Sequence, residues 1–124
     1  MKEQFIERIT ASYNPKGPFI QLGSGILNGE IVTVARVNLA LKMMNRHGLI
    51  AGATGTGKTR TLQLTAEQLS DAGVPVFMLD VKGDLSGLAE PGKTNDALIE
   101  RGNAVGIPFE PASFPIELFS LSGK

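Results

Sequence analysis

Residues Gly52 to Thr59 read Gly-Ala-Thr-Gly-Thr-Gly-Lys-Thr and match the phosphate-binding pattern G-x-x-x-x-G-K-[ST] at every fixed position. Such a loop binds a triphosphate through backbone N–H groups that point inward, and its glycines let the main chain approach the phosphates without side-chain bulk. The Lys58 ammonium is expected to lie against the β- and γ-phosphates, and the Thr59 hydroxyl to be a ligand of the bridging Mg²⁺. The pattern therefore predicts a site for ATP and Mg²⁺.

Both flanks of the loop have the character that this arrangement requires. His47-Gly48 leads into the apolar run Leu49-Ile50-Ala51, which predicts a buried strand of a parallel sheet. From Lys58 to Ala72 the chain has no Gly or Pro, and Gly73 is expected to end the resulting helix. The apolar stripe expected to cover the sheet consists of Leu62, Ala66, Leu69 and Ala72. The alternative, a Gly/Thr-rich turn that binds nothing, accounts less well for these flanks.

The predicted nucleotide contacts comprise the loop and the residue that follows it. They are Gly52, Ala53, Thr54, Gly55, Thr56, Gly57, Lys58, Thr59 and Arg60. Lys58 is also the predicted catalytic residue, because its charge lies where the transferred phosphoryl group would be.

A second apolar run, Val76-Phe77-Met78-Leu79, ends in Asp80 and predicts another buried strand. Two strands joined by a helix make a right-handed βαβ unit, and ligands of open α/β sheets bind at the carboxyl ends of the strands. Asp80 is therefore either a Mg²⁺-site carboxylate or an anchor for the loop that follows, and the anchoring role is favoured. The polar loop is expected to border the nucleotide, where Lys82 and Asp84 either contact it or are simply solvated.

The remaining segments are assigned by periodicity and by turn residues. Helices are expected at Lys2–Tyr13 and Asn95–Arg101, and strands at Phe19–Leu22, Ile31–Leu41 and Ile116–Leu121. Thr94 or Asn95 is expected to cap the second of these helices. The chain thus divides into a helix and β-rich lead-in over 1–45 and a phosphate-loop ATPase domain over 46–124. The expected fold class is α/β, a partial P-loop NTPase core with that lead-in.

Composition excludes several classes of function. The chain has no cysteine and only one histidine, His47, which excludes a disulfide framework and zinc chemistry. Twelve basic residues balance twelve acidic ones, so the chain lacks the overall positive field that is typical of a nucleic-acid binder. The apolar runs fall short of a membrane span and the N-terminus lacks a signal-peptide pattern, so a cytoplasmic location without membrane partners is expected.

Two segments together resemble a known family. Residues 45–59, Asn-Arg-His-Gly-Leu-Ile-Ala followed by the phosphate loop, and residues 80–87, Asp-Val-Lys-Gly-Asp-Leu-Ser-Gly, are similar to bacterial HerA-like helicases of the HerA/FtsK superfamily. The similarity extends through Phe114-Pro115-Ile116, and it is expected to cover the N-terminal part of a family member. It implies a RecA-like ATPase core, ring-forming and usually hexameric, that uses ATP and Mg²⁺ to move or separate DNA.

The sequence departs from that family in one respect. No apolar strand ending in Asp-Glu follows the phosphate loop, so the later metal-binding acid and the catalytic glutamate are missing, and a truncated chain with at most weak hydrolysis is expected. Three functions stay open at this point. They are an ATP-driven DNA helicase or translocase, or a fragment of one; a nucleotide-binding switch without turnover; and a structural piece that binds no nucleotide.

Overall fold

The computed structural model describes residues 1–122, and five regular elements define the architecture of this part of the chain. In chain order they are helix α1 (Lys2–Tyr13), strand β1 (Phe19–Leu27), strand β2 (Glu30–Ala40), helix α2 (Lys58–Asp71) and helix α3 (Asp96–Val105). Short 3₁₀ turns lie at Leu41–Met43 and Ser86–Ala89. The predictions of α1, of the lead-in strands and of the helix after the phosphate loop are confirmed. Within residues 1–122, no helix combines the length and apolar character needed to cross a bilayer.

The lead-in is an antiparallel hairpin made of β1 and β2. Asn28 and Gly29 form the turn, and both have positive φ, 52° and 84°. This is the conformation that a two-residue turn between right-twisted strands favours, and Asn-Gly is the sequence that adopts it most readily. β1 continues beyond its predicted end at Leu22. The pairing register shifts near Gly23 and again near Gly25, so these residues form irregularities within the strand and do not end it.

The core is built around this hairpin. Ile20 is 1% exposed and Ala35 is fully buried. Helix α1 packs on β2, and the Phe5 ring of α1 lies so close to Gly25 that a Cβ there would come within 2.7 Å of it. Further buried apolar side chains are Val32 and Ala40 of the hairpin, Ala66 and Leu69 of α2, and Leu85. The hairpin is therefore the platform on which the helices are assembled.

The last carbonyls of helix α3 accept hydrogen bonds from hydroxyls of the hairpin. Ser24 Oγ donates to the carbonyl of Val105 at 2.7 Å, and Thr33 Oγ1 donates to the carbonyl of Ala104 at 2.9 Å. The last carbonyls of a helix have no partner within the helix, so these hydroxyls satisfy groups that would otherwise be left unpaired. The helix runs to Val105, four residues beyond the predicted end at Arg101, and Gly106 then takes the left-handed conformation that ends it.

Replacing the residue that caps the start of α3 tests the predicted role of Asn95. Asn95 Oδ1 accepts a hydrogen bond from the backbone N–H of Leu98 at 2.8 Å, as expected for a helix cap. Asn95→Ala is expected to lower the free energy of unfolding by about 1 kcal/mol, because that amide loses its side-chain acceptor and keeps only the longer bond to the Asn95 carbonyl. Urea denaturation measures the change. Thr94→Ala is the control, since Thr94 is the other candidate cap; an equal loss there would contradict the assignment.

Three predicted strands are wrong for this part of the chain. The segments 49–51, 76–80 and 116–121 form no strand, and the two-stranded hairpin is the sheet that residues 1–122 contain. Their apolar side chains are largely exposed, for example Leu49 at 90% and Phe77 at 84%. A buried strand needs neighbouring strands to pair its backbone groups, and in residues 1–122 no backbone hydrogen bond joins these segments to one another. The βαβ unit is therefore not formed here, and the α/β P-loop fold class stays a prediction.

Candidate functional site

The phosphate-binding pattern forms a loop that runs directly into helix α2. Gly57 precedes the first helical residue, Lys58, and has φ of 95°, while Gly55 has φ of 82°. Residues with a side chain rarely adopt such angles, so glycine is required at both positions. At Gly52 the constraint is different, since a Cβ there would lie 2.6 Å from Thr56 Oγ1 and would displace the hydroxyl that bonds to Ala53. The glycines of the pattern thus correspond to real constraints on the backbone.

Hydrogen bonds to a single carbonyl hold the loop together. The carbonyl of Ala53 accepts from Thr56 Oγ1 at 2.7 Å, from the Thr56 backbone N–H at 3.3 Å and from Lys58 Nζ at 2.7 Å. The lysine side chain therefore folds back over its own loop instead of extending into solvent. This places a positive charge beside the backbone amides that the pattern predicts to bind phosphate.

The first turn of α2 offers donors without a side-chain partner. The residue before the helix is glycine, and no side chain caps the helix there. The first N–H groups of a helix have no partner within it, and the helix dipole adds partial positive charge at this end. The hydroxyls of Thr56, Thr61 and Thr65 each donate to a backbone carbonyl. Among the hydrogen bonds of residues 1–122 none involves the Thr59 hydroxyl, which remains available as a ligand.

Asp80 organises the polar loop that follows it. Its Oδ1 accepts from the backbone N–H groups of Gly83 at 2.8 Å and Asp84 at 3.2 Å, and its Oδ2 accepts from that of Leu85 at 2.9 Å. These bonds, the one from Leu85 above all, hold the pKa of the Asp80 carboxyl below its ordinary value. This geometry favours the anchoring role. Lys82 and Asp84 are both exposed in this loop.

A glutamine that the sequence prediction missed connects this loop to α2. Gln63 is 8% exposed, and its Nε2 donates to the carbonyl of Asp84 at 3.1 Å. The predicted apolar stripe is wrong at two positions, because Leu62 is 41% exposed and Ala72 is also exposed. The buried residues of α2 are Gln63, Ala66 and Leu69. Position 63 lies one helical turn beyond Thr59, and helical periodicity could have indicated that it faces inward. It was not predicted to be buried, because an apolar stripe is assigned from apolar side chains and Gln63 is polar.

Arg60, a predicted nucleotide contact, interacts with the same glutamine. Its Nη1 donates to Gln63 Oε1 at 3.0 Å, so the guanidinium is turned along the helix. One face of α2 also carries Glu67, where partial burial raises the pKa of the carboxyl. The nearby Arg60 charge opposes that rise, and Asp71 adds to it. Arg60 thus has a structural role along the helix, and its predicted contact with nucleotide stays a prediction.

No cluster of three or more His, Cys, Asp or Glu side chains suited to a metal ion occurs in the part of the chain that the structure describes. A Mg²⁺ ion held mainly by nucleotide phosphates needs only one or two protein ligands, so the Thr59 hydroxyl fits it without such a cluster. Asp80, the other predicted metal ligand, already accepts backbone hydrogen bonds on both oxygens. The donor set therefore favours Thr59 over Asp80 as the metal ligand.

Acid titration tests the anchoring role of Asp80. The folded-state pKa lies below the ordinary value of 3.8, so the unfolded state binds more protons in that window and stability rises with pH there. The contribution of Asp80 is therefore present above the ordinary value and is lost as pH falls through the lowered pKa. Asp80→Asn is expected to be less stable than wild type near neutral pH, with the difference shrinking below about pH 4. Urea unfolding at several pH values measures it.

Asp84→Asn is the matched control for that titration, since the Asp84 side chain accepts none of the three amide hydrogen bonds. A pH-independent difference between wild type and Asp80→Asn would contradict the anchoring role.

Comparison with known proteins gives one match. Residues 27–124 match the family model described as "Helicase HerA-like C-terminal". No curated protein and no solved structure matched the chain. The match covers both segments on which the resemblance was based, residues 45–59 and residues 80–87. The expectation that the chain corresponds to the N-terminal part of a family member is wrong, because the matching model describes the C-terminal part.

Proposed function

The chain belongs to the HerA-like helicase C-terminal family, and we propose that it binds ATP and Mg²⁺ through the loop Gly52–Thr59 as part of a DNA helicase or translocase. One observation carries this proposal. The phosphate-binding pattern lies at the uncapped N-terminus of α2, with positive φ at Gly55 and Gly57 and with the Lys58 ammonium folded over the loop. Backbone donors, helix dipole and lysine charge thus coincide, and a polyphosphate is the ligand that this combination suits.

Each part of the loop has a separate role in this proposal. The backbone N–H groups of the loop and of the first turn of α2 bind phosphate oxygens, and Lys58 exchanges its bond to Ala53 for one to the β- and γ-phosphates. Thr59 supplies a hydroxyl to Mg²⁺, and the ion would neutralise charge that develops on the phosphates. Asp80 orders the neighbouring loop, and direct contact with the metal is the less favoured alternative. Mg²⁺ and ATP are proposed here from the donors that the chain presents.

Binding and turnover are separate parts of the proposal. Phosphoryl transfer needs a positioned water and charge stabilisation from several groups in addition to the phosphate loop. The proposal for Gly52–Thr59 concerns binding, and phosphate release is measured separately. DNA as the polymer that is moved, and assembly into rings, are proposals that follow from the family alone.

Titration calorimetry of the wild-type chain with ATP tests the proposal. With Mg²⁺ present, we expect saturable binding of one nucleotide per chain, together with a rise in melting temperature, since a ligand that binds only the folded state stabilises it. Phosphate release measured in parallel separates binding from hydrolysis. Binding without release would favour the nucleotide switch. Absence of both heat and a melting shift would contradict the proposal and favour the structural piece.

A further inference from the structure

Gln63 makes an unusual connection for a helix residue, because its buried amide is hydrogen-bonded to a loop and not to solvent. Its Nε2 donates to the carbonyl of Asp84 at 3.1 Å, and its Oε1 accepts from Arg60 at 3.0 Å. A buried side-chain amide is costly unless both its ends are paired, and here both are. Gln63 therefore fixes the Asp80 loop, defined as residues 80–85, against α2.

The position of Gln63 on α2 brings the Asp80 loop near the nucleotide site. Residues four apart in a helix lie on the same face, one turn above the other. Gln63 and Thr59 are four apart, so the helix face that holds the Asp80 loop is the face that presents the proposed Mg²⁺ ligand. A loss of motion in the first turn of α2 would therefore reach Gln63 after a single helical turn.

The Asp80 loop is also closed by hydrogen bonds within itself. Both oxygens of Asp80 accept hydrogen bonds from backbone N–H groups of residues 83–85, and Leu85 is buried. Lys82 and Asp84 of this closed loop present exposed charged side chains. The loop is thus a short closed segment, and its Gln63 attachment is on the helix that begins at the phosphate-binding loop.

We propose that Gln63 is a positioning residue that couples the Asp80 loop to nucleotide bound at Thr59. The inference rests on the proposed function and deepens it. When Mg²⁺ and nucleotide fix the first turn of α2, Gln63 is fixed with it, and the Asp80 loop becomes more ordered. Without the Gln63 amide, nucleotide still binds the phosphate loop, but the Asp80 loop no longer responds.

Hydrogen exchange at the amides of Gly83, Asp84 and Leu85 tests this coupling in the full chain. The probe is Mg²⁺ with the non-hydrolysable analogue adenosine 5′-(β,γ-imido)triphosphate, at concentrations that saturate each protein. In wild type we expect the analogue to slow exchange at these amides about fivefold. In Gln63→Met, whose side chain is similar in length but cannot donate, we expect exchange in the loop to be equally fast with and without the analogue.

Gln68→Met is the matched control. Gln68 lies in the same helix and is also paired at both ends of its amide, but it binds the backbone of Gln21 in β1, at 2.7 and 2.8 Å. The Gln68→Met variant should be less stable than wild type, but the analogue should still slow exchange in its Asp80 loop. A merely structural role for Gln63 would speed exchange in both states and leave the analogue-induced slowing intact.

The outcomes separate the two proposals. If wild type binds no analogue, the proposed function and this inference are both wrong. If wild type binds it and Gln63→Met keeps the fivefold slowing, or if Gln68→Met loses it equally, only the inference is wrong. Gln63→Glu provides a second variant should Gln63→Met not fold, since its carboxylate can still accept from Arg60 but cannot donate to the carbonyl of Asp84. A retained slowing in Gln63→Glu would likewise contradict the coupling.

Discussion

Lys58→Ala is expected to weaken the binding of ATP with Mg²⁺ by about 10- to 150-fold, because a hydrogen bond to a charged group contributes about 1.5–3 kcal/mol. Among residues 52–59, Lys58 is the only side-chain cation. Its Nζ donates to the carbonyl of Ala53 at 2.7 Å, which places the charge over the loop. Titration calorimetry of the variant against wild type measures the change. The fold should be retained, since alanine is favourable at the start of a helix.

Two further substitutions show whether charge or position matters at Lys58. Lys93→Ala removes an exposed lysine outside the regular elements and should leave binding unchanged. Lys58→Arg keeps the charge but replaces a compact ammonium by a planar guanidinium, so it should restore only part of the affinity. Equal affinity in Lys58→Ala and wild type would show that nucleotide, if it binds, does not bind in this loop.

Features determined within a few neighbouring residues were predictable from the sequence. The Gly52–Thr59 loop leading into α2, the Asn95 cap and the Asn-Gly turn at residues 28–29 each depend on local backbone geometry, which the residue type largely dictates. Gly106 shows the limit of local rules, since its role as a helix end is clear only when the helix is seen to reach Val105.

Features that depend on distant partners were not predictable. A polar residue such as Gln63 is expected in solvent on a helix surface, and only the fold brings the carbonyl of Asp84 to it. The pairing of Gln68 with the β1 backbone has the same origin. The runs 49–51 and 76–80 have the composition of buried strands, but a strand also needs a neighbour, and composition cannot say whether the neighbour is present.

Gly102→Ala is expected to destabilise the fold by about 1–3 kcal/mol, although it replaces a helical glycine by the best helix former. A Cβ on Gly102 would lie 2.7 Å from the carbonyl oxygen of Ile107 and 2.8 Å from the backbone nitrogen of Phe109. Both contacts are with backbone, which cannot move aside as a flexible side chain does. The gain of about 1 kcal/mol in helix propensity is therefore smaller than the cost of moving the chain that follows α3.

Two controls separate the backbone clash from propensity and from simple crowding. Asn103→Ala changes an exposed neighbour in the same helix and should raise stability slightly, since only propensity acts there. Gly25→Ala also creates contacts under 3.0 Å, at 2.7 and 2.9 Å, but with the outer atoms of the Phe5 ring, which can rotate away. Urea unfolding should therefore rank Gly102→Ala as the least stable of the three. If Gly102→Ala were as stable as Asn103→Ala, the close approach of residues 107–109 to α3 would be contradicted. The hydrogen bond from the Ile107 N–H to the Gly102 carbonyl at 2.9 Å makes that approach part of the helix end itself, so the clash is expected to disturb both.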